Sequence, residues 1–234
     1  MLHFPELSEP RGQVLKALAE TSRSEDALEV LGVGATLAAE VRRNTTLESG
    51  PCTPAHRVYT GVLYDALGYD SLPAAARRRA DETVLVVSAL WGAIGFADPI
   101  PAYRLSMSTR LPDVGRLAAF WKQHLTGTLD GYAGSSLVVD CRSSTYAAAW
   151  APAPGNTAAV NVFQMRGGQR KVVSHFAKHT RGELARHLLL RPGAEPATPQ
   201  ELLAAAREKW DAELVAPSGR KPYQLNIILE EPVA

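Results

Sequence analysis

A mixed α/β fold is predicted for this 234-residue chain, and three features predict it. Short apolar, β-branched runs at 83–87, 136–140 and 223–229 read as strands, interspersed with longer segments whose apolar residues recur at helical spacing. Gly167-Gly168, flanked by 158–166 and 169–175, is the two-residue signature of a tight β-hairpin. A composition 46% hydrophobic and 21% charged suits a single globular domain over 1–234 with a substantial core.

The same composition excludes several classes. No apolar run approaches the roughly 18 residues of a membrane span. Residues 1–7 carry neither a basic n-region nor an apolar h-region, so a cytoplasmic chain with no membrane partner is expected, with a monomer favoured. Cys52 and Cys141 lie far apart and outside any CxxC or Cys/His spacing, which argues against a disulfide framework and a zinc site. No cofactor motif is present: the chain lacks GxSxG, HExxH, a Walker lysine loop and a Rossmann fingerprint.

In chain order, Val14, Leu15, Leu18 and Ala19 set a first helix over 10–22, with Pro10 in its first turn. Ser24 reads as an N-cap, and Ala27, Leu28 and Leu31 continue to Leu31-Gly32-Val33-Gly34, after which Leu37, Ala38 and Val41 resume the period. Residues 24–44 are therefore helix, hairpin, helix. A turn of this form leaves the amides of the second helix free for a phosphate, with Thr36 adding a hydroxyl and Arg42 and Arg43 beyond. A packing corner with a glycine cap is the plainer alternative.

Residues 44–54 read as a loop, and Tyr59-Thr60-Gly61 opens a helix through Leu63 to Gly68. Arg77, Arg78 and Arg79 point three ways on the next helix and are expected to be solvated. The 83–87 run suits a strand buried on both faces. Arg104 and Arg110 then sit among apolar neighbours, so each is either internally paired or aimed into a cleft. A helix over 112–129 presents Leu117, Trp121 and Leu125 on one face. Asp140, Arg142, Ser143 and Tyr146 follow the 136–140 strand, where α/β proteins commonly place chemistry.

The densest functional-looking stretch is 174–186. Between Arg166 and Arg191 seven Lys or Arg face the single acid Glu183, a local +6 in a chain whose net charge is +1. That asymmetry hints at an anionic partner, although a solvated helix face explains such a run as well. On a helix to Leu190, His175, Lys178, His179 and Arg186 cluster away from the apolar arc of Ala177, Leu184 and Leu188. Arg181 falls on that arc, so it either snorkels or reaches a buried acceptor, while Gly182 permits close backbone approach. His175 and His179 lack an acid placed to complete a metal set. Thr198-Pro199 caps a further helix to about Trp210.

Taken together, these residues resemble the peroxide-stress YaaA family over most of the chain. The matching pieces are Tyr59-Thr60-Gly61, Ser88 with Leu90-Trp91-Gly92, Pro101 with Tyr103-Arg104-Leu105, Met107, Arg110-Leu111, Phe120-Trp121, Ser143, Tyr146, Ser174, Ala177-Lys178, Arg181-Gly182 and Arg186. The resemblance implies a single domain likened to a cantaloupe, a mixed central sheet surrounded by helices. It also implies an embedded helix-hairpin-helix at 24–44 and a positively charged cleft. Family members are described as binding duplex and branched DNA without sequence specificity and as protecting it from iron-dependent peroxide damage.

On this reading Gly32, Gly34, Thr36, Arg42, Arg43, Lys178, Arg181 and Arg186 contact phosphate. Tyr59, Thr60, Tyr103, Arg104, Arg110, Ser143, Tyr146 and His175 line the cleft, and the protein is a DNA binder rather than an enzyme. The alternative is an enzyme acting on a nucleotide, nucleoside or modified base in the cleft of Tyr103, Arg104, Lys178 and Arg181, with Asp140 as base and Arg104 as its catalytic partner. Family chains usually begin with a short strand and a Ser-Pro-Ala-Lys-Thr or Pro-Ser-Glu-Gly-Lys type motif, whereas this sequence starts at Met1-Leu2-His3-Phe4-Pro5. Without that strand a sheet edge is expected to be left unpaired, and a candidate lysine with its anion-binding turn to be absent.

Overall fold

Alternating apolar residues build the longest strand, Thr157–Arg166, and a mixed sheet forms around it in a computed structural model. The structure describes residues 2–167, 169–172 and 174–230, with the backbone alone at 166, 172, 174 and 175. Gly168, Val173 and the side chains of Ser174 and His175, which belong to the hairpin and cleft readings above, lie outside the described residues. The chain divides into two compact units, Met1–Tyr59 with Asp81–Gly131 and Arg142–Ala151, and Thr60–Ala80 with Tyr132–Cys141 and Pro152–Ala234.

The second unit holds the sheet. Its order is Asp211–Val215, Tyr223–Leu229, Thr157–Arg166, then Val138–Asp140, with Gln169–Val172 pairing to the far half of Thr157–Arg166. The Tyr223–Leu229 and Val138–Asp140 strands run parallel to Thr157–Arg166, and the remaining pairings are antiparallel, so the α+β class with a mixed sheet is the one observed. Ala158, Val160, Val162, Leu225 and Ile227 point to one face and bury against Leu184 of helix Ser174–Leu190 and Leu202 and Ala206 of helix Pro199–Arg207. Each such fully buried Val, Leu or Ile side chain contributes about 1.5–3 kcal/mol of transfer free energy. The Pro199–Arg207 helix is capped as expected: the Glu201 amide donates to Thr198 Oγ1 at 3.2 Å, and Glu201 returns to accept from the Ala197 amide.

The opposite sheet face carries a polar network beside Phe163 and Ile228. Asn161 donates to Gln224 and Asn226, Asn226 donates to Glu213, and Arg170 holds Glu213 with two N–H groups. Period-two alternation dictates this split, because successive residues of a strand face opposite sides.

The first unit is assembled from helices and short antiparallel pairs. Helix Ser8–Thr21 buries Val14 and Leu18, and helix Leu117–Ala133 buries Leu117, Trp121, Leu125 and Leu129, a strict i,i+4 stripe. Leu85–Ser88 pairs with Gly92–Gly95, Cys52–Pro54 with Pro99–Pro101, and Arg110–Leu111 with Gly115–Arg116. Gly92 adopts φ +72°, and a Cβ there would lie 2.5 Å from the Trp121 ring, which itself donates to the Ala89 carbonyl.

A buried charge ties these pieces together. Arg11 donates Nε to the Trp91 carbonyl, Nη1 to Phe4, and Nη2 to His3 and Ala93, while being only 5% exposed. Burial lowers its pKa, and the charge of Asp98 opposes that shift. Asp98 is itself buried and accepts from the His3 and Gly95 amides and pairs with the His3 ring. No local pattern in the sequence marks this pair.

Several sequence expectations are corrected. The 83–87 strand begins at Leu85 and is only half-buried, since it belongs to a two-stranded pair rather than a parallel sheet. The helix expected from 112 begins at Leu117, because Pro112, Asp113 (φ +60°) and Gly115 (φ +82°) form the turn of a hairpin. The 44–54 loop contains a 3-10 segment, Asn44–Ser49, and the strand Cys52–Pro54. Ser24 caps nothing downstream, as its hydroxyl donates back to the Thr21 carbonyl. Arg79 is not a solvated member of a triplet; it donates to the carbonyls of Leu189 and Arg191, at the end of helix Ser174–Leu190.

Candidate functional site

The helix-hairpin-helix is compact. Helix Ala27–Val30 ends in a Schellman motif: Gly32 sits at φ +64°, the Val33 amide donates to Leu28 at 2.9 Å, and the Gly32 amide to Glu29 at 3.0 Å. Only glycine takes that left-handed conformation without strain. The chain then turns through Gly34 into the 3-10 segment Ala35–Leu37 and helix Ala38–Arg43. The amides of Gly34, Ala35 and Thr36 are exposed and make no hydrogen bond among the described residues. Arg42 and Arg43, both exposed, occupy the last turn.

Asn44 joins this element to the cleft residues. It is fully buried, its Nδ2 donates to the Arg104 carbonyl and to Ser22 Oγ, and its Oδ1 accepts the Arg104 amide at 2.9 Å. The two bonds to one residue mimic a strand pairing and fix the backbone at Arg104. The Arg104 guanidinium reaches back to Glu40 at 3.8 Å, so the exposed pair is a weak one. Sequence reasoning missed Asn44, whose only signal is an asparagine directly after a helix.

Beside Arg104 lies a chain of hydroxyls. Ser88 Oγ accepts the amides of Leu90 and Trp91 at 3.2 and 3.0 Å, which occupies its lone pairs and leaves its proton for Tyr103, 2.7 Å away. Tyr103 in turn hydrogen bonds to Tyr59 at 2.9 Å and meets the rings of Tyr59 and Trp91 edge-on. Burial pushes the Tyr103 phenol up to about 12, partly offset by the hydrogen bonds from Ser88 and Tyr59. Tyr146 is raised as well, first by burial, with Met107 and Arg104 acting against it. Tyr103 and Tyr146 are therefore neutral hydrogen-bonding phenols at neutral pH rather than a source of a base.

The sign of the resulting pH dependence is definite. A phenol whose folded pKa lies above its ordinary value of 10.0 keeps its proton longer when folded, so its contribution to stability is complete below pH 10 and declines as pH rises toward 12. Spectrophotometric titration is expected to show one phenol ionising last, and Tyr103→Phe is expected to remove it.

In the second unit the predicted phosphate ligands divide. Lys178 is exposed. Arg181 donates Nε to the Val160 carbonyl at 2.9 Å, the buried acceptor its position on the apolar arc required. Arg186 donates Nη1 to the carbonyls of Leu67 and Gly68 and to Ser71 Oγ, capping helix Val62–Leu67. The linear +6 is also reduced in space, because Arg170 pairs with Glu213 and Arg191 with Glu208. The balancing Glu208 and Glu213 come from outside the segment.

Thr60, Arg110 and Ser143 are exposed, and Arg142 donates to the Trp150 carbonyl with its guanidinium over the Trp150 ring. Asp140 is half-buried at the end of its strand and, after burial itself, helps push the Cys141 thiol up to about 12. Among the described residues no three His, Cys, Asp or Glu side chains gather as a metal site, and no helix is long and apolar enough to cross a membrane.

Comparison with known proteins agrees with the residue pattern. A UPF0246 protein of Streptomyces coelicolor is 44% identical over 237 residues, covering 98% of this chain and 90% of the relative. A UPF0246 protein of Corynebacterium efficiens is 42% identical over 211 residues, covering 88% and 82%. One from Ruegeria pomeroyi is 31% identical over 181 residues, covering 73% and 70%. The family model described as "Peroxide stress protein YaaA" matches residues 3–213, and with that span and these identities the chain belongs to the YaaA peroxide-stress family.

Proposed function

We propose that this chain serves the peroxide-stress response by holding DNA, duplex or branched, through its phosphate backbone, with residues 24–44 as the main point of attachment. One observation carries the reading. Three exposed and unpartnered amides, at Gly34, Ala35 and Thr36, lead into a helix whose last turn offers Arg42 and Arg43, which have no partner among the described residues. Such groups recognise phosphate and ignore base identity. Lys178 adds an exposed cation in the second unit. Coating DNA in this way would limit access of iron and peroxide to it.

A salt series tests the reading. Removing one phosphate-binding cation is expected to reduce the slope of log affinity against log salt by about 0.9. Arg42→Gln with Arg43→Gln is expected to flatten the slope on duplex DNA. Gly34→Pro removes a single amide, and the site admits it: φ is −78°, close to the proline value, and the nearest atom to an added Cβ is 4.0 Å away. Affinity independent of salt, or untouched by these changes, overturns the reading.

A second reading rests on the Tyr59, Tyr103 and Ser88 hydroxyl chain beside Arg104, which sets hydrogen-bonding groups next to a cation for a phosphate. An enzyme acting on a nucleotide, nucleoside or modified base would turn such compounds over and lose that turnover in Arg104→Gln or Asp140→Asn. Absence of turnover in the unmodified chain removes this reading and leaves the first intact.

A further inference from the structure

The hairpin formed by Arg110–Leu111 and Gly115–Arg116 sets two arginines opposite each other. Its register pairs Arg110 with Arg116 and Leu111 with Gly115, and the Leu117 amide donates to the Thr109 carbonyl at 3.1 Å. That bond makes Arg110 and Arg116 the non-hydrogen-bonded pair, the one whose Cα atoms approach to about 4.5 Å and whose side chains rise on the same face. Like charges directly opposite in a ladder destabilise it.

Some arginines of this fold have acceptors. Arg11 has four carbonyls, Arg170 has Glu213 and Arg191 has Glu208. Arg110 and Arg116 are both exposed, and among the described residues neither makes a hydrogen bond or an ion pair. Asp113, at the hairpin's tip with φ +60°, pairs with neither of them. An open depression of about 510 Å³ adjoins the hairpin and is lined by Arg110, Asp113 and also Val30, the last residue of the helix that leads into Gly32.

We propose that Arg110 and Arg116 form a clamp for one phosphate group, whose oxygens satisfy both guanidiniums and relieve their mutual repulsion. Val30 brings the Arg110 side of the clamp next to the helix-hairpin-helix, while Arg116 lies outside the depression, so a phosphodiester of the DNA held there is one source of the phosphate and a free phosphate compound is the other. Naming DNA rests on the function proposed above; the clamp itself rests on the hairpin register.

Thermal unfolding in inorganic phosphate against chloride at matched ionic strength tests the clamp, using the full chain, Arg116→Gln and Arg116→Glu. Phosphate is expected to raise Tm of the unmodified chain and to leave both variants unmoved. In chloride Arg116→Glu is expected to melt no lower than the unmodified chain, because it replaces a like-charged pair with an ion pair. An equal phosphate response in all three proteins, or none in the unmodified chain, overturns the clamp.

A salt series on duplex DNA then separates the sources. A slope reduced by about 0.9 in Arg110→Gln with Arg116→Gln assigns the clamp to the DNA backbone. An unchanged slope beside an abolished phosphate response assigns it to free phosphate compounds. If the unmodified chain binds no DNA, the helix-hairpin-helix reading fails while the phosphate response still decides the clamp.

Discussion

Arg11→Met is expected to lower the unfolding free energy by about 3–5 kcal/mol, the range for removing one partner of a buried charged network. Methionine matches much of the arginine stem but supplies none of the donors to Trp91, Phe4, His3 and Ala93. Those carbonyls lose their partner, and Asp98, 4% exposed, loses the charge that faces it. Chemical denaturation measures the effect. Arg11→Lys is expected to recover only part of it, because one ammonium cannot reach carbonyls spread around a planar fork. A loss below about 1 kcal/mol would mean that water or a repacked neighbour satisfies these groups.

Gly182→Ala is the second large effect. An added Cβ would fall against the Leu63 carbonyl and 2.8 Å from Ala66 Cβ, both on the helix that packs against Ser174–Leu190. Neither neighbour is the end of a flexible side chain, so the helices must separate, at a cost of about 3 kcal/mol or more. The same move would strain the three bonds that Arg186 donates into Leu67, Gly68 and Ser71. Gly127→Ala serves as the control. Gly127 lies in helix Leu117–Ala133 with nothing within 4 Å of an added Cβ, so the change is expected to stabilise by about 0.5–1 kcal/mol. Opposite signs for one substitution in two helices would establish that close packing, not helix propensity, selects glycine at 182.

The candidate site was legible where recognition is local. Leu31-Gly32-Val33-Gly34 announces a sharp turn in residues adjacent along the chain, and the turn found is the glycine-capped one. The Asn44 clamp on Arg104 joins residues 60 positions apart, and no spacing rule links an asparagine to one backbone so distant. Arg104 stood out as a charge among apolar neighbours and as part of the Tyr103-Arg104-Leu105 motif. Its partner Glu40 belongs to a segment read for a different purpose, so the pairing emerged only once the two were brought together.

By itself the sequence determined the mixed α/β class, the helical stripe of Leu117, Trp121 and Leu125, and the Tyr223–Leu229 strand. It also determined the family, through motifs spread along the whole chain. These rest on periodicity and on residue type, which are written in the order of the chain. The tertiary structure alone decided which charges remain available. Arg79, Arg181 and Arg186 bind carbonyls, and Arg170 and Arg191 find acids, while Arg42, Arg43, Arg110 and Arg116 are left without partners among the described residues. The reason is physical: a guanidinium's partner is set by what lies within about 3 Å of it in space. A run of basic residues records only what lies beside it in sequence.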